Sequence, residues 1–124
     1  MKFLVVDDSA TMRRIVVNSL NRIGFQAVVE ASDGAEALEK LDDSINFVIT
    51  DWNMPKMTGL ELTQAIRALP SRRDLPVLMI TARSAKEDIV SALESHVNNY
   101  IVKPFTPQIL KEKIDAMKAT LPPS

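Results

Sequence analysis

Five short apolar runs recur along this chain, and the longer stretches between them carry their apolar residues at helical spacing. The runs are Phe3–Val6, Ala27–Val29, Phe47–Thr50, Val77–Ile80 and Tyr100–Val102. They are continuous and largely β-branched rather than alternating, the pattern of strands covered on both faces. Between them the period changes to that of helices. Met12, Ile15, Val16, Leu20 and Ile23 mark one face of a first helix, ended by Gly24. Ala35, Leu38 and Leu41 mark a second, and Leu62, Ile66 and Leu69 a third, stopped by Pro70. Ile89, Val90 and Leu93 mark a fourth; Leu110, Ile114, Met117 and Leu121 mark a fifth. Thr106-Pro107 opens the last one, a capping hydroxyl followed by proline at the first helical position.

Strict alternation of strand and helix over five units implies a parallel sheet with right-handed crossovers and helices on both faces. For such an open, doubly wound α/β sheet the strand order 2-1-3-4-5 fits five strands better than half of a dinucleotide-binding sheet. That order makes strands 1 and 3 neighbours at the point where the winding reverses, which is where ligands bind. With 124 residues and no repeat or interior linker, one domain spanning 1–124 is expected. The tail Leu121-Pro122-Pro123-Ser124 reads as a helix stop or the start of a linker.

Composition removes several classes of function. Fifteen basic residues stand against 16 acidic ones, a net charge of −1 with both signs mixed, so a dedicated nucleic-acid surface is not expected. Cysteine is absent, which excludes disulfides and thiolate metal sites and suits a reducing compartment. The first apolar run is too short for a signal peptide or a membrane span, so a soluble, cytoplasmic protein is expected.

The informative feature is what ends each run. Run 1 ends in Asp7-Asp8, run 3 in Asp51, run 4 in Thr81 and run 5 in Lys103. In a parallel sheet these ends share one edge, so three carboxylates converge with a hydroxyl and an ammonium. Carboxylates so close raise one another's pKa values unless a cation sits among them. An all-oxygen set suits a hard divalent ion, and magnesium suits it better than calcium because it shares its ligand shell with phosphate. A carboxylate nucleophile, a metal and a lysine are the parts of a phosphoryl-transfer site. Asp51 stands alone at the centre of the edge and is the better nucleophile, whereas the Asp7-Asp8 pair suits a metal. Thr81 can donate to a phosphoryl oxygen, and Lys103 is the cationic partner.

These residues sit in the motifs Val5-Val6-Asp7-Asp8-Ser9, Asp51-Trp52-Asn53-Met54-Pro55, Met57-Thr58-Gly59-Leu60, Thr81-Ala82 and Tyr100-Ile101-Val102-Lys103-Pro104-Phe105. Together they make the chain resemble the response-regulator receiver family, and within it the stand-alone chemotaxis branch, over almost its whole length. The 2-1-3-4-5, flavodoxin-like topology with five helices belongs to that family, so it is not independent of the resemblance. The resemblance implies phosphorylation of Asp51 by a histidine kinase, with Mg²⁺ held by Asp8, Asp51 and the Asn53 carbonyl and Asp7 acting largely through water. It implies contacts from Thr81 and Lys103 to the phosphoryl group and a cis Lys103-Pro104 bond. It further implies a switch through Thr81 and Tyr100 that reshapes the face of helix 4, strand 5 and helix 5, read in the chemotaxis branch by the flagellar motor switch. Asn53 and Arg83 lie where the family tunes the lifetime of the phosphoryl group. The partners implied are the chemotaxis kinase, the motor switch and, where one assists, a phosphatase; the chain itself is expected to be a monomeric signalling switch rather than an enzyme acting on other molecules. One departure is Ser95-His96, where small residues, often Ala-Gly, are usual, leaving Asn98 or Asn99 to supply a left-handed helix end.

Other residues read more plainly. His96 reads as a surface residue, Trp52 as a partly exposed loop neighbour of the site, and Met54 and Met57 as packing residues of that loop. Arg13-Arg14 and Arg72-Arg73 read as solvated helix faces or ends, and Lys111, Glu112 and Lys113 as a polar helix face, with Lys113 bordering the partner surface. A phosphohydrolase with an aspartyl intermediate would place two aspartates alternately after strand 1 and carry a cap insertion; neither is present. A flavin carrier would need a Ser/Thr-rich phosphate loop where Asp7-Asp8-Ser9 stands. Within the family, a phosphorelay intermediate and the receiver of a longer transcriptional regulator are the remaining alternatives.

Overall fold

The structure, a computed structural model, describes residues 1–81 and 98–119. Strands β1 (Phe3–Val6), β2 (Val28–Ala31), β3 (Phe47–Asp51), β4 (Val77–Thr81) and β5 (Asn99–Val102) form one sheet in the order β2-β1-β3-β4-β5, parallel throughout. Helices α1 (Ala10–Arg22), α2 (Gly34–Lys40), α3 (Gly59–Arg67) and a C-terminal helix (Pro107–Ala119) connect or cover them. The helix expected around Ile89, Val90 and Leu93 lies outside the described residues, as do Ala82, Arg83, Ser95-His96 and the Pro122-Pro123 tail.

Strand residues alternate between two buried layers. On one face Leu4, Val6, Val48, Val77 and Met79 pack with Ala37 of α2 and Leu62 and Ile66 of α3. On the other, Phe3, Val5, Phe47, Ile49, Leu78, Ile80 and Ile101 pack with Val16, Val17 and Leu20 of α1 and Leu110, Ile114 and Met117 of the C-terminal helix. Burial on both sides explains why β1, β3 and β4 read as largely apolar runs.

Each described helix starts on a side chain that satisfies an orphan backbone donor. Ser9 accepts from Met12 N at 3.2 Å and Asp33 from Glu36 N at 2.8 Å. Thr58 and Glu61 form a reciprocal capping box. Thr106 accepts from Ile109 N at 3.1 Å, with Pro107 as the first helical residue. Gly24, at φ 105°, closes α1 in a conformation that a side chain would disfavour.

The helix faces differ from the expected ones at their margins. Ile15 is exposed and Val17 is buried in its place, because α1 must face both the sheet and the C-terminal helix, which turns its stripe toward Val16, Val17 and Leu20. In α2 the buried alanine is Ala37 rather than Ala35. Helix α3 ends at Arg67, so Leu69 lies beyond it and is exposed. β2 begins one residue later than expected and runs on to Ala31, pairing Glu30 with Val5 and Ala31 with Val6. Asn99 opens β5 and does not supply a left-handed helix end.

Candidate functional site

The strand ends bring the acidic residues together. Asp7 follows β1, and its N–H continues the ladder to the Ala31 carbonyl at 3.1 Å. Asp51 is the last residue of the adjacent β3. Asp7, Asp8 and Asp51 each offer a carboxylate oxygen, all within 4.8 Å of one another. Asp7 and Asp51 are buried and Asp8 is exposed, so the cluster opens to solvent on the Asp8 side.

Lys103 arrives from the far side of the sheet. Its N–H donates to the Thr81 carbonyl at 2.8 Å, extending the β4–β5 ladder by one step. From there its Nζ reaches Asp51 Oδ1 at 3.0 Å. The following Lys103-Pro104 peptide is cis. Thr81 ends β4, only 1% exposed, one residue beyond the Ile80 that pairs with Asp51.

Burial is the main cause that pushes the Asp7 carboxyl above its ordinary value, and the charges of Asp51 and Asp8 add to it. The Ser9 N–H, donating to Asp7 Oδ1 at 2.9 Å, and the Lys103 charge act in the opposite direction. A buried carboxylate disfavoured by two like charges is the setting that a cation relieves. The donor set is all oxygen, without thiolate or imidazole, which fits a hard divalent ion such as Mg²⁺.

The loop after Asp51 is folded tightly against the site. Met57 N donates to the Pro55 carbonyl at 2.7 Å, closing a γ-turn about Lys56, whose φ of 69° is uncommon for a residue with a side chain. Gly59 N then donates to the Trp52 carbonyl at 2.9 Å. A β-carbon on Gly59 would overlap the Asp51 carbonyl oxygen and Met79 Sδ, so only glycine lets α3 start this close to the strand end. Asn53 is exposed on this loop, two residues past Asp51.

Residues 3–115 match the response regulator receiver domain. The chain belongs to that family. This receiver domain is 52% identical over 122 residues to the chemotaxis protein CheY1 of Helicobacter pylori, covering 97% of this chain and 98% of that protein. It is 51% identical to the chemotaxis protein CheY of Pseudomonas aeruginosa, over 93% and 94% of the two chains. Among solved structures, the chemotaxis protein CheY4 of Vibrio cholerae superposes with a TM-score of 0.87 at 34% identity, covering 94% of this chain and 97% of that one. No described helix of the receiver domain is long and apolar enough to cross a membrane.

Asp7, Asp8 and Asp51 are thus in mutual reach and Lys103 contacts Asp51, Thr81 is on the next strand end, and Arg83 lies outside the described residues. Tyr100 is half-buried against the α2/α3 layer, with Lys113 Nζ 5.3 Å above its ring. Trp52 is not a partly exposed loop residue: it is 4% exposed and packs in the core with Val48 and Met54. Its N–H bonds the Ile80 carbonyl at 3.0 Å, so the strand period continues one step past Asp51 and turns the indole inward. Arg13 is also misjudged as a solvated helix residue; it donates to the Asp7 carbonyl at 2.7 Å and pairs with Glu30 at 3.1 Å. The sequence signal for it is an arginine on the first turn after the aspartate pair, with an acid near the end of the neighbouring strand.

Proposed function

We propose that this receiver domain is a chemotaxis response regulator, which takes a phosphoryl group onto Asp51 in a magnesium-dependent reaction and presents the result to the flagellar motor switch. The observation that carries this reading is the Lys103–Asp51 contact of 3.0 Å beside carboxylates gathered within 4.8 Å. The chemotaxis relatives, matched over nearly their full length, favour this role over that of a relay intermediate.

In the proposed reaction a carboxylate oxygen of Asp51 attacks the phosphorus of a phosphohistidine on the kinase. The new O–P bond forms as the N–P bond breaks, and the electron pair leaves on the imidazole nitrogen, which takes up a proton. Lys103 balances charge on the equatorial oxygens, and the Thr81 hydroxyl donates to one of them. Asp8, Asp51 and the Asn53 carbonyl, with Asp7 through water, would hold Mg²⁺, which would supply positive charge against the phosphoryl oxygens. Water returns the group as inorganic phosphate, at a rate tuned by Asn53 and Arg83.

The added group brings roughly −2 charge and three acceptor oxygens. It draws the Thr81 hydroxyl inward, and Tyr100 turns into the space. Phosphorylation thereby biases a two-state face formed by β5, the C-terminal helix and the segment expected from the sequence to be the fourth helix. The domain is proposed to act as a cytoplasmic monomer spanning 1–124, with a chemotaxis kinase as donor.

Incubation with a small acyl phosphate and Mg²⁺ should add one phosphoryl group by mass, and none to Asp51→Asn. No modification of the unsubstituted chain, or full modification of Asp51→Asn, overturns the reading. A pull-down of motor-switch peptide, with and without an acyl-phosphate mimic, separates the chemotaxis role from a relay role.

A further inference from the structure

Among the described residues Lys103 and Arg13 reach the aspartate cluster, and of the two only Lys103 pairs with a carboxylate of that cluster. Lys103 pairs with the Asp51 side chain, whereas Arg13 binds backbone: its Nη1 donates to the Asp7 carbonyl at 2.7 Å. The same guanidinium is aimed by Glu30, which accepts from Nε at 3.1 Å. The planar fork thus spans two strands from the first turns of α1, and its side chain is only 19% exposed. Lys40 in turn donates to the Glu30 carbonyl at 2.6 Å, which ties α2 to that segment of β2.

The peptide group is planar, so fixing the direction of the Asp7 carbonyl also fixes the N–H and Cα of Asp8. Asp7 is held on its other sides by its N–H to Ala31 and by its carboxylate to the Ser9 N–H. The peptide leading into Asp8 takes its orientation from Arg13. We infer that Arg13 is a positioning residue for metal binding: by holding the Asp7 carbonyl it sets the direction from which the Asp8 carboxylate meets the cation. This inference rests on the magnesium-dependent reading above.

Charge and geometry predict opposite signs here. A guanidinium near a divalent cation repels it, so by charge alone removing Arg13 tightens Mg²⁺ binding. If Arg13 positions Asp8, removing it weakens binding. The double variant Arg13→Met/Glu30→Gln deletes one charge of each sign and leaves the net charge unchanged, which isolates geometry.

The measurement is a calorimetric Mg²⁺ titration of the full chain, run well below the thermal midpoint, with no phosphodonor present. The double variant and Arg13→Met are each expected to raise the Mg²⁺ Kd about tenfold, the lower end of what loss of an outer partner of metal ligands brings. A Kd within about twofold of the unsubstituted chain, or tighter binding by Arg13→Met, overturns the inference even where the midpoint falls. Should Arg13→Met not fold, Arg13→Lys keeps the charge without the fork; a Kd raised about threefold or more supports positioning, and an unchanged one overturns it. An unsubstituted chain that binds no Mg²⁺ removes the functional reading itself, whereas one that binds it as well as its variants removes only the role of Arg13.

Discussion

The two ends of the sheet are built on opposite principles. At the end where the strands start, polar groups pair within the fold, the buried Arg72 Nε being the exception among the described residues. Lys2 N donates to Asn46 Oδ1 at 2.8 Å and Asn46 N to the Lys2 carbonyl at 2.9 Å. Asn98 Oδ1 takes both the Val77 N–H at 2.8 Å and Arg67 Nη2 at 2.9 Å, while Arg67 Nη1 reaches the Leu75 carbonyl at 2.6 Å. At the end where the strands finish, three carboxylates share a space with one contacting ammonium. One end is optimised for the fold. The other holds like charges together, at a cost to the folded state that a functional site can explain.

The largest expected effect on stability is at the acidic end, where room rather than charge is limiting. Gly59→Ala forces a methyl into the Asp51 carbonyl, and overpacking there is expected to cost about 2–3 kcal/mol. Chemical denaturation measures that loss, and an unchanged midpoint would show the strand end to be softer than described.

At the other end, Asn98→Ala leaves the buried Val77 N–H without its side-chain acceptor and is expected to cost about 1–2 kcal/mol. Its phosphorylation rate from an acyl phosphate should stay at the unsubstituted value. A large rate change in that variant would mean the two ends are coupled, and the comparison would fail.

A smaller effect tests the charge strain directly. The folded-state pKa of Asp7 lies above its ordinary 3.8, so its ionised form is disfavoured by folding. The penalty is absent below the unfolded value, grows as pH rises toward the folded one, and is complete above it. Asp7→Asn, melted without metal, should therefore be more stable than the unsubstituted chain at neutral pH, with the gap closing as the solution is acidified through that window. Added Mg²⁺ should narrow it from the other side by stabilising the unsubstituted chain more than the variant, which keeps Asp8 and Asp51.

The smallest effect belongs to the exposed pair Lys111–Asp115, 2.7 Å apart at helical spacing. Lys111→Ala should change stability by no more than about 0.5 kcal/mol. It serves as the control for both ends.

The same contrast explains what the sequence made legible. β1, β3 and β4 could be read because burial on both faces writes each as a largely apolar run. The edge strands β2 and β5 are half-buried, and the strand order leaned on the family resemblance. The carboxylates, Thr81 and Lys103 could be read because each interrupts a run. Trp52 was misplaced because a polar residue at a strand end looks like the end of the strand, whereas the ladder continues through its N–H. Ile15 and Val17 exchange roles because helical period gives a stripe without saying how many partners the helix must face. Arg13 is the hardest case. Its partner is a backbone carbonyl, which every residue carries, so no residue type marks the contact in advance.

The placement of α1 and the C-terminal helix has a temporal consequence. Both cover the same face of the sheet, Val16 and Leu20 sharing a layer with Leu110, Ile114 and Met117. The opposite layer draws its described residues from Leu4 through Met79, with Tyr100 packed at its margin. As a ribosome delivers the chain from the N-terminus, that layer can assemble while α1 still waits for its cover. The nascent chain thus leaves the part of the sheet's α1 face which α1 itself does not cover exposed until Met117 has emerged, and that interval is when it is most open to a chaperone or to association with another copy.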